Sequence, residues 1–296
     1  MDETDPRQPL PRWRQLAETS PVELVLRITL LDLILAPIGT PAIRAAVLGL
    51  AVLALLYAPL LRKPGVWALL ALLAGLRVVL DWPLADNHAY LLGYWLLAIS
   101  LALRSRNAER SLQISARWLI GLAFALATIW KLALSPDYLD GTFFRVSLLV
   151  DDRFEGLTRL LGGISADKLE WAREKLSAHH DGPGSGESIA ASLGLAYHRL
   201  ALFATIWTIA IEALIALFFL APLRRRWEPC RDVTLLSFCA TTYAFATVSG
   251  FGWLLVAMGI AQCARHRVVT RLCYVGAFLL ILGYRELSLA SWLAGR

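Results

Sequence analysis

Long apolar runs, separated by short breaks rich in Arg or in Pro and Gly, fill most of the chain. A helix needs about 20 apolar residues to cross ~30 Å of hydrocarbon. On that measure the pattern predicts helices at Val22–Ile38, Ile43–Leu61, Val66–Leu80, Ala89–Leu103, Ile114–Leu134, Leu200–Pro222, Val233–Val248, Trp253–Ala264 and Leu272–Tyr284. The two runs beside Ser249–Gly252 are short for independent crossings, so they predict either a tilted hairpin or one bent helix. The fold class expected is all-α, a polytopic membrane helix bundle of about eight or nine transmembrane helices.

The breaks divide the chain into a polar N-terminal segment, residues 1–20, and a single membrane domain, residues 21–296, with an extramembrane insertion at 135–199. Within the insertion, Ala166–Ser177 has helical periodicity and would bury Leu169, Ala172 and Leu176 on one face. Asp181–Ser188, rich in Gly, Pro and Ser, predicts a loop. The acidic opening Met-Asp-Glu-Thr-Asp is not followed by the apolar stretch and cleavage site of a secretory leader, so the first hydrophobic helix is expected to be retained.

Composition strengthens this picture. Hydrophobic residues make up 57% of the chain and charged ones 18%, an imbalance outside the range of ordinary soluble domains. The net charge of +6 does not indicate nucleic acid, because the basic residues follow the apolar runs. The groups are Arg62 and Lys63; Arg104, Arg106 and Arg110; Arg224, Arg225, Arg226 and Arg231; and Arg265, Arg267 and Arg271. With the N-terminus cytoplasmic and the Val233–Ala264 region crossing twice, every group falls on the cytoplasmic side. The Asp81–His88 loop, the insertion and the Ser249–Gly252 turn then face the other way. Cys230, Cys239, Cys263 and Cys273 show no CxxC spacing and read as small, buried thiols.

Ionisable groups inside apolar helices are costly, which singles out Arg27, Asp32, Lys131 and Glu212. Lys131 sits one turn from the end of its run, where an ammonium stripped of part of its water is a usual design for a lysine base; a lysine snorkelling to the interface beside Asp137 is the alternative. His88 follows Asp86 and Asn87 at the start of a helix, either as a neutral ring that orients a ligand or as a residue of the capping region. Arg27 and Glu212 come to similar depths and are expected to form a structural ion pair. His179 and His180 lack a third ligand, so no metal is expected.

Several segments, in order along residues 20–265, resemble the horizontally transferred transmembrane domain family, the membrane core also found in vitamin K-dependent gamma-carboxylase. They are Ser20–Ile28, Asn87-His88-Ala89-Tyr90-Leu91-Leu92-Gly93, Trp130-Lys131-Leu132 with Pro136–Gly141, and Gly250-Phe251-Gly252-Trp253. The resemblance implies Lys131 as the base toward a quinol, His88 as its partner, and Asn87, Tyr90 and Trp253 as substrate-binding residues. It implies a vitamin K-like quinol as cofactor, membrane lipid and a peptide or membrane protein as partners, and a cell-membrane location. Departures from the family are Cys239 after Phe238 where it has histidine, Tyr138 in place of tryptophan and Gly252 in place of proline; the carboxylase's large C-terminal domain has no counterpart. Carboxylation of glutamate is accordingly not expected. His88 and Lys131 are expected to face one cavity, and the alternative function is a non-catalytic membrane scaffold serving maturation, transport or immunity.

Overall fold

The computed structural model describes residues 20–178, 192–222, 227–244 and 248–287, and among these the chain is helical with no strand. The helices are α1 (Pro21–Leu35), α2 (Pro41–Leu56), α3 (Ala58–Leu61), α4 (Pro64–Leu80), α5 (Asn87–Arg104), α6 (Ala108–Ala133), α7 (Pro136–Leu139) and α8 (Thr142–Val150). After a 3-10 turn, Asp152–Phe154, come α9 (Glu155–Gly162), α10 (Ala166–Ala178), α11 (Leu195–Leu220), α12 (Glu228–Tyr243), α13 (Ser249–Gln262) and α14 (Val268–Leu287). Two compact units result, one of Met1–Ala116 with Ala257–Tyr274, the other of Arg117–Val256 with Val275–Arg296.

Prolines set helix starts in the first unit. Pro21, Pro41 and Pro64 occupy first-turn positions, where the preset φ helps and the missing N–H costs nothing. Pro59 does the opposite. The run expected as one helix, Ile43–Leu61, is split at Tyr57 into α2 and α3, because a proline ring collides with the carbonyl four residues back. Inside the unit, Leu26 and Leu30 of α1, Val47 and Ala51 of α2, Trp67 and Leu70 of α4, and Trp95 and Leu96 of α5 are buried. Three side-chain donors in this core find acceptors: Trp95 Nε1 donates to Thr29 Oγ1 at 3.1 Å, Ser100 Oγ to the Pro64 carbonyl at 2.9 Å and Trp67 Nε1 to the Leu61 carbonyl at 2.8 Å.

The outward faces are apolar as well. Leu53, Leu72, Val79, Leu101, Leu126, Phe203 and Leu217 are each more than half exposed, whereas a helix on a water-soluble surface carries polar residues there. Among the described residues, three helices, Ala108–Ala133, Leu195–Leu220 and Val268–Arg285, are long and apolar enough to cross a membrane; Pro41–Leu56, Pro64–Leu80 and Gly250–Gln262 are apolar but shorter. The doubtful region around Ser249–Gly252 contains two separate helices, α12 and α13. Every residue from Gly252 to Ala261 is buried, so α13, hydrophobic on all sides, is an interior helix.

In the second unit the insertion folds onto α11. Phe144, Leu148 and Leu149 of α8, Leu157 of α9, Ile164, Leu169 and Ala172 of α10, and Tyr197, Leu200 and Ala201 of α11 form one core. The expected inward face of Ala166–Ser177 holds for Leu169 and Ala172, while Leu176 is half-buried. Because Tyr197 and Leu200 belong to this core, α11 begins at Leu195 rather than at the expected Leu200. Arg173 ties the layer together, donating to the Leu149 carbonyl at 2.8 Å and pairing with Asp152 and Glu155. The Gly/Pro/Ser tract and His179–His180 lie outside the described residues.

Candidate functional site

The site grows from the packing of α6 against α11, which run antiparallel. Near the start of α6, Arg117 donates from Nε to the Phe219 carbonyl at 2.7 Å and from Nη2 to the Ala221 carbonyl at 2.8 Å. Arg231 of α12 adds a bond from Nε to the Phe218 carbonyl at 2.8 Å. A helix leaves its last carbonyls without intrahelical partners and concentrates negative charge there, so two guanidinium groups are a fitting cap. One turn on, Gly121 lets the helices close up: a Cβ there would lie 2.6 Å from Leu220 Cδ2.

At the other end of the contact, Lys131 Nζ lies 2.6 Å from Glu212 Oε2. Side chains lean toward the N-terminus of their own helix, so on antiparallel helices these two lean toward each other. Both residues are buried, at 9% and 7% exposure, which separates this pair from the exposed ion pairs of the chain. Beneath it is an aromatic layer: Phe124, on the same face of α6 as Lys131, meets Phe238 edge-on at 4.9 Å and lies 6.4 Å from Phe251.

The third member comes from α7. The Tyr138 ring lies 5.2 Å from Lys131 Nζ, within cation–π range. It is stacked on Phe143 at 4.2 Å and meets Phe144 edge-on. The turn that carries it closes through Gly141, whose φ of +79° favours glycine, and through Asp140, which accepts from the Thr142 N–H at 2.8 Å. Burial, with a further contribution from the Glu212 charge, raises the Tyr138 pKa, so the ring remains a protonated phenol.

The expected Arg27–Glu212 pair is not the one formed. Glu23, four residues before Arg27, holds it at 2.7 Å and also takes Arg62 at 3.3 Å, while Glu212 is held by Lys131. This also removes the snorkelling alternative for Lys131, whose ammonium is enclosed. His88 lies in the first turn of α5 with Nε2 3.6 Å from Asp86 Oδ2; Asp86 occupies the N-cap position without a side-chain capping bond. Asn87 is exposed and Tyr90 half-buried. Trp253 is fully buried, its Nε1 donating to the Phe278 carbonyl at 3.2 Å and its ring stacked on Phe278, so it is a packing residue. Asp32 is buried in α1. Of the four free thiols, Cys239 and Cys263 are buried as expected, but Cys230 is half-buried and Cys273 exposed.

Sequence reading missed Arg117, and it noted Tyr138 only as a departure from the family's tryptophan, without the contact to Lys131. Arg117 was visible as a charge just inside the Ile114–Leu134 run, and only its partners, the last carbonyls of a distant helix, were hidden. No family model, no curated protein and no solved structure matches this chain.

Proposed function

We propose that the chain is a multi-pass membrane protein of the horizontally transferred transmembrane domain type that binds a quinol or related isoprenoid lipid at the non-cytoplasmic face. In this reading it crosses about eight or nine times with its N-terminus in the cytoplasm. Lys131 is the base, with Glu212 as the group that takes up its proton. The observation that carries the reading is the buried Lys131–Glu212 contact of 2.6 Å. In a low-dielectric site an ammonium–carboxylate pair and an amine–carboxylic acid pair lie close in energy. Moving one proton from Nζ to Oε2 leaves a neutral amine at Lys131. That amine can take the proton of a quinol hydroxyl, giving a quinolate held against the ammonium and leaving the extra proton on Glu212.

A second reading, a non-catalytic scaffold, is favoured by the enclosure of the pair, which serves equally as a clip joining α6 to α11. Titration of the protein in lipid nanodiscs with a reduced naphthoquinone, followed by tryptophan quenching, separates the two. The first reading expects saturable binding that weakens at least tenfold in Lys131→Arg and in Glu212→Gln. Absence of saturable binding, or equal binding in both variants, would leave the scaffold.

A further inference from the structure

The insertion between α6 and α11 has two unlike outer faces. On α8 and α9 the outward residues are apolar: Phe143 and Val150, then Leu160 and Leu161, are exposed. On α10 they are mostly charged, with Asp167, Lys168, Glu170 and Lys175 exposed beside a single large apolar side chain, Trp171. The two faces also lie at different distances from the bundle. Both α8 and α9 pack on α11, whereas α10 packs on α8. Gly162 at the end of α9 sits against Tyr197 and Leu200 of α11, where a Cβ would find their side chains at 3.7 and 3.6 Å.

We propose that α8 and α9 form an interfacial platform sunk into the headgroup and upper acyl region of the bilayer, with Phe143, Val150, Leu160 and Leu161 against lipid and α10 facing water. The inference rests on α11 crossing the membrane. Its 26 residues measure about 39 Å, against ~30 Å of hydrocarbon, so about six residues project beyond it. The insertion core reaches along α11 from Tyr197 to Ala204, further than that projection, which carries α8 and α9 down to the hydrocarbon boundary. At this level of α11, Leu202 and Phe203 are exposed and apolar too. Helices with one apolar and one polar side lie at this depth, and an apolar outer face on α8 is explained by lipid and not by water. The platform also bears on the Lys131 site. Phe143, which faces lipid, is the ring on which Tyr138 stacks, so a bilayer-dissolved ligand would approach that site sideways, from the lipid.

Nitroxide labels test this in full-length protein reconstituted in nanodiscs. In a Cys230→Ser/Cys273→Ser background, labels are placed by Val150→Cys, Leu161→Cys, Glu170→Cys and, as a control on α11, Leu217→Cys. Collision rates with oxygen, which concentrates in lipid, are compared with those of a water-soluble nickel chelate. Labels at 150, 161 and 217 should favour oxygen and the label at 170 the chelate. Chelate preference at 150 and 161 would overturn the platform, and so would protection from both reagents, the sign of a second copy or another protein covering it. A control label at 217 that favours the chelate would overturn the membrane reading itself, and with it the platform.

Discussion

Replacing Lys131 by methionine should cost about 3–5 kcal/mol of folding stability, because it leaves the Glu212 carboxylate enclosed with its ion-pair partner gone. Glu212→Leu should cost a similar amount by stranding the ammonium. The double variant Lys131→Met/Glu212→Leu should recover most of the loss, since an apolar pair of similar volume replaces a buried ion pair at little or no cost. Melting temperatures of the four proteins in one mild detergent give the cycle. Additive losses in the double variant would mean that the two side chains act independently and that the contact contributes nothing.

The second large effect concerns the interior helix α13. A Cβ at Gly259 would lie 2.4 Å from Cε1 of Tyr274, a ring with no exposed surface. Alanine normally improves a helix by up to about 1 kcal/mol over glycine, but here the overlap outweighs that gain. Gly259→Val should therefore destabilise the protein by about 3 kcal/mol, read as a collapse in the yield of monodisperse protein. Gly276→Ala in α14, where a Cβ meets open space, should be neutral or stabilising. Equal yields from the two would show that Tyr274 gives way.

Legibility in the sequence followed the range of each interaction. Periodicity and run length gave Val66–Leu80 and Ala89–Leu103 within two residues of the observed Pro64–Leu80 and Asn87–Arg104, but began the next helix at Ile114, six residues after the observed start at Ala108, because its first turns are polar. Proline chemistry explains the split at Tyr57, where run length alone predicted one helix. Arg27 is the instructive miss. Depth in the membrane suggested Glu212, yet Glu23 stands four residues earlier, the spacing at which glutamate and arginine meet on one helix face, and that local pair is the one formed. Lys131 and Glu212 were each recognised as costly, but 81 residues separate them. Their pairing depends on the register of two antiparallel helices, fixed by Arg117, Arg231 and Gly121, which no local pattern encodes. Tyr138 was hidden for the same reason: its place over the ammonium depends on the turn at Gly141 and on stacking with Phe143.

In the proposed reaction Lys131 and Glu212 exchange a proton when a quinol binds. Infrared difference spectroscopy on the protein in nanodiscs, recorded as a reduced naphthoquinone is added, observes that proton directly. The account predicts loss of a carboxylate band and gain of the carbonyl stretch of a protonated carboxylic acid, both absent in Glu212→Gln. A difference spectrum that keeps those bands in Glu212→Gln, or one with no carboxyl change while the quinol binds, would contradict it.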